Sequence, residues 1–258
     1  MTYLTDKEFY LEAARGNIAG VYTVNKFGEA TDCDDGIDTD IWDGADGTTS
    51  TDVWVQPTTA RIHDITSTDV DDTSAGTGMR TVRIYGLTDW DTAETSEDVT
   101  LNGTSNVATS NSYVIIHRMK GLTFGSTGSN EGIITATAQT DATVTAAIQA
   151  GEGQTLMAIY GIPSTQKIYL LQLGMAVLKR SGLDASMDAT LLVKEHADLS
   201  TSGFITKERL QGATDSPVLR VWGVPKLVTG PAIIKVQVNA NANDVDVTAS
   251  FDAVVVDN

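Results

Sequence analysis

The groups in this chain able to do acid–base, nucleophilic or metal chemistry are few. They are three histidines, one cysteine and a dense run of aspartates. His63, His117 and His196 lie far apart, each beside a strand-like run. A metal site needs ligands that converge, and no second thiol exists to help. The histidines are therefore expected as partly exposed strand residues. Cys33 has no basic neighbour in sequence to stabilise a thiolate, so a small buried residue is expected there and no reactive thiol. The nucleophile elbow G-x-S-x-G, the phosphate-binding P-loop and the zinc motif H-E-x-x-H are all missing. Residues 125–129, Gly-Ser-Thr-Gly-Ser, lack the strand-then-helix context of a phosphate cradle and read as a flexible loop.

Residues 28–50 are dense in Asp, Gly and Thr and invite a calcium reading. Placing Gly36 at the glycine position of an EF-hand loop puts Thr31 and Cys33 where carboxylates are required, so that pattern fails. Irregular calcium sites between loops stay open, as does the group of Asp89, Asp91 and Glu94 around Trp90. The alternative for both is a solvated acidic loop. Paired carboxylates for glycoside cleavage are a matter of spatial separation. A sugar groove also wants stacking platforms, and aromatic residues make up only 6% of the chain. No catalytic, cofactor or metal residue is assigned, and a non-enzymatic protein is expected.

The elements that would position any site are strands. Residues 245–253 alternate strictly: Val245, Val247, Ala249, Phe251 and Ala253 on one face, Asp246, Thr248, Ser250 and Asp252 on the other. Side chains of a strand alternate with period two, so this segment has one buried and one wet side. Similar stretches occur at 53–55, 62–65, 80–87, 98–101, 113–119, 132–138, 143–148, 155–162, 169–179, 189–195, 204–210, 218–222 and 233–238. The 169–179 run is apolar enough for a central strand. Asn102-Gly103 is a tight-turn signal, and the polar linker 239–244 predicts a hairpin between the last two strands. Pro163 and Pro225 fit strand ends or edges. The class that follows is all-β: an antiparallel β-sandwich, jelly-roll-like, with Greek-key connections.

Residues 1–50 read differently. Thr5 and Glu8 have capping-box spacing, Leu4 and Phe9 that of a hydrophobic staple, and Gly16 suits a left-handed stop. These predict a short helix at 6–15, followed by an extended Asp/Gly-rich arm that need not join the main core. Ile41 and Trp42 are its apolar anchors and the expected interaction residues, docking onto a neighbouring subunit. The expected division is thus 1–50, helix and arm, and 51–258, one β-sandwich or two smaller ones.

Composition bounds the partners. The chain has 258 residues and is 41% hydrophobic, ample for a packed core. Its formal charge is −17, with 21 acidic and 6 basic residues in the first 100. Such a surface repels phosphate backbones, so direct nucleic-acid binding is not expected. No apolar run reaches the roughly 18 residues of a membrane helix, and no signal peptide is expected from the first residues. A lone cysteine fits folding in a reducing cytosol. The acidic half is expected to face a basic partner, bridging cations or solvent.

Several segments, in order, carry a resemblance. They are Asn25-Lys26-Phe27-Gly28, Thr39-Asp40-Ile41-Trp42-Asp43-Gly44, the run from Gly76 to Leu87, the run from Glu97 to Thr104, Asn130-Glu131-Gly132-Ile133 and Ala150-Gly151-Glu152-Gly153-Gln154-Thr155. The chain resembles a family of virion structural proteins of tailed bacteriophages, especially marine ones, over most of 25–180 and again at the closing strand. These motifs are turns and strands and carry no site residues. The resemblance implies a part of the phage particle, made in the host cytoplasm. The expected role is a capsid decoration or cement protein, a homo-oligomer, expected as a trimer, bound to the major capsid protein. A neck, collar or tail component is the alternative within that class. A carbohydrate- or receptor-binding module for host attachment is the alternative outside it, resting on Trp42 and Trp90 as exposed loop aromatics.

Overall fold

A computed structural model describes residues 6–42, 44, 53–179 and 185–258. The protein is all-β apart from one helix. In chain order the elements are α1 (Asp6–Ala14), β1 (Val21–Cys33), β2 (Asp38–Asp40), β3 (His63–Ser67), β4 (Met79–Leu87), β5 (Thr95–Thr100), β6 (Val107–Ala108), β7 (Ile115–Phe124), β8 (Ile134–Ala138) and β9 (Thr143–Ile148). There follow β10 (Ile159–Ile162), β11 (Gln166–Lys179), β12 (Ser186–Glu195), β13 (Phe204–Ala213), β14 (Val218–Thr229), β15 (Ala232–Ala240) and β16 (Val245–Asp257). Gly16 takes φ 73°, the left-handed stop expected after the helix. The capping box and staple rest on Thr5 and Leu4, which lie outside the described residues.

The strands form four antiparallel sheets, with orders β1-β16-β11-β14, β10-β15-β12-β13, β6-β3-β8-β9 and β5-β4-β7; β2 extends the second sheet along β15. The first two sheets face each other as a jelly roll. Its pairing is nested: β1 with β16, β10 with β15, β11 with β14 and β12 with β13. That nesting is what a single long antiparallel ribbon gives when it is wrapped around a core. Between them lies an aliphatic core that includes Phe251, Leu173, Ile168, Leu191 and Val236. As the apolar run predicts, β11 is central, paired to β16 on one side and β14 on the other.

The last two strands do not form the expected hairpin. β15 lies in the second sheet and β16 in the first, so residues 241–244 carry the chain across the sandwich. Alternation reveals each strand but not its neighbour, because a tight polar linker serves a hairpin and a sheet-to-sheet crossing equally well.

Strands β3–β9 form the third and fourth sheets, a smaller sandwich inserted between β2 and β10. Its own core holds Ile65, Val82, Ile84, Met119 and Ile134. The insertion packs on the outer face of the second jelly-roll sheet: Ile159 and Ile233 join this lower core, while their neighbours Ala158 and Ile234 belong to the upper one. The second sheet is therefore a middle layer, apolar on both faces, which explains the nearly unbroken burial of Ala232–Val236 along β15.

Residues 6–42 do not form a separate arm. Val21–Cys33 is an edge strand of the jelly roll, in register with β16 from Val21↔Val256 to Cys33↔Val245. Ile41 is completely buried in the upper core and Trp42 nearly so in the lower one. These two side chains anchor the chain to its own body, at the point where it leaves one sandwich for the other.

Candidate functional site

Two places in this framework concentrate chemistry or exposed apolar surface. The first is a cleft of about 480 Å³ between β1 of the jelly roll and the inserted sandwich, lined by Tyr22, Lys26, Glu94, His117, Arg118 and Tyr160 among others. Lys26 points inward from β1 and donates its ammonium to the backbone carbonyl of His117 on β7. His117 accepts from Gly161 N through Nδ1 (3.4 Å), so its proton sits on Nε2 and is donated to Glu94 at 2.5 Å. Tyr22 donates to Gln166 (3.0 Å) and meets the hydroxyl of Tyr160 at 3.3 Å. The ring of Tyr160 lies 4.6 Å from that of His117.

Burial sets the electrostatics. It lowers the Lys26 amine to about 7, helped by Arg118 and only partly offset by Glu94. His117 is likewise held below its usual range by burial, against the pull of Glu94. Burial pushes the Glu94 carboxyl up, but the His117 bond, with Lys26 and Arg118, outweighs it and leaves the group below the usual range. A lysine near neutrality has the chemistry of a base or nucleophile. Here its proton is committed to a backbone carbonyl, and the imidazole is committed on both nitrogens. The cluster ties β1, β7 and β10 together and works as a polar seam between the two sandwiches.

The second place is the outward face of the first sheet. β14 is an edge strand, and Leu219, Val221, Val224 and Leu227 on it are 61%, 62%, 84% and 50% exposed. Pairing with β11 breaks between Leu170 and Gln172, opposite Lys226 and Val221, so residues 222–225 bulge out around Pro225. A bulge and a proline are what keep an edge strand from adding another strand. Phe27, Ser250, Gly174 and Leu219 stand in one row across all four strands. The two small residues between the two large ones leave a shallow groove of about 680 Å³.

The remaining sequence candidates fall as follows. His63 and His117 are buried, 0% and 1% exposed, and only His196 is exposed. The alternation that marked them as strand residues does not tell which face of a two-sided core they occupy. Cys33 is buried and free. Trp54 is buried, whereas Trp222 is half-buried on its edge strand, its indole donating to Glu208 at 2.9 Å. Trp42 is buried and Trp90 half-buried against the lower core, so neither is the exposed loop platform expected of them. Asp89 and Asp91 do not converge with Glu94. Asp89 caps its own turn through Asp91 N and Thr92, and Glu94 joins the cleft.

Among the described residues the carboxylates of Asp69, Asp71 and Glu131 lie within 4.8 Å of one another on exposed loops. Sequence reasoning passed over this trio. The loops carrying it are organised by Asp72, a fully buried carboxylate that accepts Ser67 Oγ (2.6 Å), Met79 N (2.8 Å), Gly132 N (2.9 Å) and Glu131 N (3.0 Å). The arrangement of the trio thus follows from loop packing. Residues 45–50 of the Asp-rich stretch lie outside the described residues.

No protein-family model and no curated protein matches this sequence. Among solved structures, the chain is similar to the infectious bursal disease virus Gt strain at 11% identity and a TM-score of 0.26, covering 92% of this chain and 72% of that one. It is similar to the T=1 particles derived from that virus at 12% identity and a TM-score of 0.25, covering 92% and 69%. For the VP2 subviral particle of the same virus the figures are 10%, 0.20, 91% and 71%. Superpositions this loose do not define a shared fold.

Proposed function

We propose that this protein is a non-enzymatic structural part of a virus particle, a decoration or cement protein on the head of a tailed bacteriophage, bound to the major capsid protein. The observation that carries this reading is the outward face of β14, where Leu219, Val221 and Leu227 stand in water on a strand whose bulge and proline block strand addition. Monomers rarely leave such a patch uncovered. A rigid jelly roll with a second sandwich projecting from its other side suits a part that docks on one face and presents another. The resemblance of its turn and strand motifs to phage virion proteins supplies the kind of assembly. Fold alone does not, because jelly rolls serve capsids and lectins alike.

A reconstruction of the intact particle tests this. Density for the chain over the outer shell is expected; density confined to the portal or tail would overturn the decoration role in favour of a neck, collar or tail component. The carbohydrate-binding reading loses its support, since no tryptophan among the described residues is exposed as a stacking platform. Occupancy measured against salt and chelator separates the fates of the acidic half. Loss with monovalent salt marks a basic partner, loss with chelator marks bridging cations, and indifference to both marks a solvated face.

A further inference from the structure

We propose that the cleft between β1 and the inserted sandwich binds a small monoanionic carboxylate, held between the Lys26 ammonium and the Arg118 guanidinium. Charge pairing elsewhere makes this place unusual. The chain has 34 acidic and 17 basic residues, so carboxylates outnumber the cations able to meet them. Arg61, Arg83, Lys207 and Lys235, among others, each pair with one. Lys26 and Arg118 form no such pair among the described residues, although both line this cleft. Lys26 is 8% exposed, and its ammonium, with three N–H groups to donate, is bonded to the His117 carbonyl alone among the described residues. A buried ammonium without a counterion is costly and is relieved by an anion. The one carboxylate lining the cleft, Glu94, is taken by His117. Two cations against one carboxylate leave a surplus of one positive charge.

That surplus and the geometry define the ligand. One positive charge matches a monoanion, whereas a phosphate dianion would leave the site negative on a chain already at −17. The Arg118 guanidinium is held over the Tyr85 ring, 5.7 Å from its centre, and donates to Gln154 at 3.1 Å. A planar fork positioned in this way fits the two oxygens of a carboxylate, and the ammonium adds a point charge beside it. At about 480 Å³ the cleft has the size of a small-molecule site. This site stands whether or not the particle assignment does.

Binding is coupled to a proton. Burial and the nearby Arg118 hold the Lys26 amine at about 7 in the free protein. A carboxylate beside it favours the ammonium, so the complex holds that proton more firmly. Below this value the lysine is already charged; above it, each complex formed takes up a proton. The other groups facing Lys26 keep their charge states through the same range. Glu94 is held below its usual range and stays ionised, His117 below its own and stays neutral, and Tyr22 and Tyr160 are raised and stay neutral. The Arg118 guanidinium is a fixed charge. Affinity therefore falls between about pH 7 and pH 9, by up to about tenfold per unit.

Calorimetric titration of the full chain tests this. The probes are N-acetylglycine and galacturonate, with N-acetylglycinamide and galactose as their neutral counterparts. A carboxylate is expected to bind at millimolar affinity or better, and the neutral counterparts not at all. Tighter binding of N-acetylglycine marks a peptide C-terminus as the source, and tighter binding of galacturonate a sugar acid. Inorganic phosphate at about pH 8, mostly a dianion, should bind more weakly than either. Arg118→Gln, at an exposed residue, should weaken binding by about tenfold or more. Lys120→Gln, on the same strand but outside the cleft, should leave it unchanged. Lys26→Met should abolish the proton uptake, read at about pH 8 as a dependence of the binding heat on the buffer. No binding of either carboxylate, equal binding of the neutral counterparts, tighter binding of phosphate, or an affinity indifferent to Arg118→Gln or to pH would overturn the proposal.

Discussion

Asp40 and Lys235 hold the two sandwiches together at the scale of single residues. Their charged groups are 2.6 Å apart, with side chains 0% and 3% exposed. The carboxylate also accepts Trp54 N at 2.7 Å and Gln237 at 3.1 Å. The ammonium sits 4.5 Å from the ring centre of Phe204. Burial raises the Asp40 pKa against the pull of Lys235. Breaking such a pair leaves an uncompensated charge indoors. Asp40→Asn should destabilise the protein by about 3–5 kcal/mol in urea unfolding. Adding Lys235→Met should recover much of that loss, and a double-mutant cycle measures the coupling.

His63 is the second single-residue lever. Its Nδ1 faces the carbonyl of Arg61 at 2.9 Å and must donate, which leaves Nε2 as a buried lone pair with no partner among the described residues. Burial lowers its pKa to about 4 from 6.5. As pH falls below 6.5 the unfolded chain takes the proton first, so native stability declines down to about pH 4 and levels off below. The contribution lost is roughly 3 kcal/mol. Unfolding free energies at neutral and mildly acidic pH should show this slope, and His63→Asn should flatten it. A slope unchanged in the variant would assign the effect elsewhere, His117 being the other buried imidazole.

At the scale of elements, β1 shows what a sequence hides. Its inward positions are Tyr22, Val24, Lys26, Gly28 and Ala30, and the pattern was illegible because two of the five are not apolar. Both exceptions have a local cause. Lys26 reaches through the seam to His117, and Gly28 lies where a Cβ would sit 2.5 Å from the carbonyl oxygen of Leu156. Gly28→Ala should therefore cost about 1–3 kcal/mol as overpacking, read as a lower midpoint of thermal unfolding. Strands such as β11 and β16 were legible throughout because each faces a single core with ordinary side chains. The seam itself left no sequence signal, since Lys26, Glu94 and His117 are dispersed and only the insertion brings them together. Ile41 and Trp42 were legible as buried anchors, but not for which surface. Deleting residues 1–45 removes β1 and β2, so loss of folding is expected, and circular dichroism of that fragment checks it.

At the scale of the molecule, the middle sheet ties the two cores into one unit. Ile159 and Ile233 face down while Ala158 and Ile234 face up from the same strands. Neither sandwich can melt without stripping one face of that sheet. A single transition is expected in calorimetry, with calorimetric and van't Hoff enthalpies equal. Two resolved transitions would show that the insertion melts on its own.

The nested pairing also dictates an order of events as the chain folds. β1 and β16 touch last in sequence terms, Val21 against Val256, so closing them directly means closing nearly the whole chain as a loop. Local pairs come sooner: β4 with β5, β8 with β9, β12 with β13. The insertion shortens the path. Once its sandwich forms, Ala158 N lies 2.9 Å from Ile41 O, so the residues between no longer count as slack. The strands after it can then wind up from β12–β13 outward until β16 reaches β1. The inserted sandwich is in this sense a scaffold for the jelly roll that surrounds it in sequence, and its amides should gain protection before those of β1 and β16 when refolding is followed by pulsed hydrogen exchange.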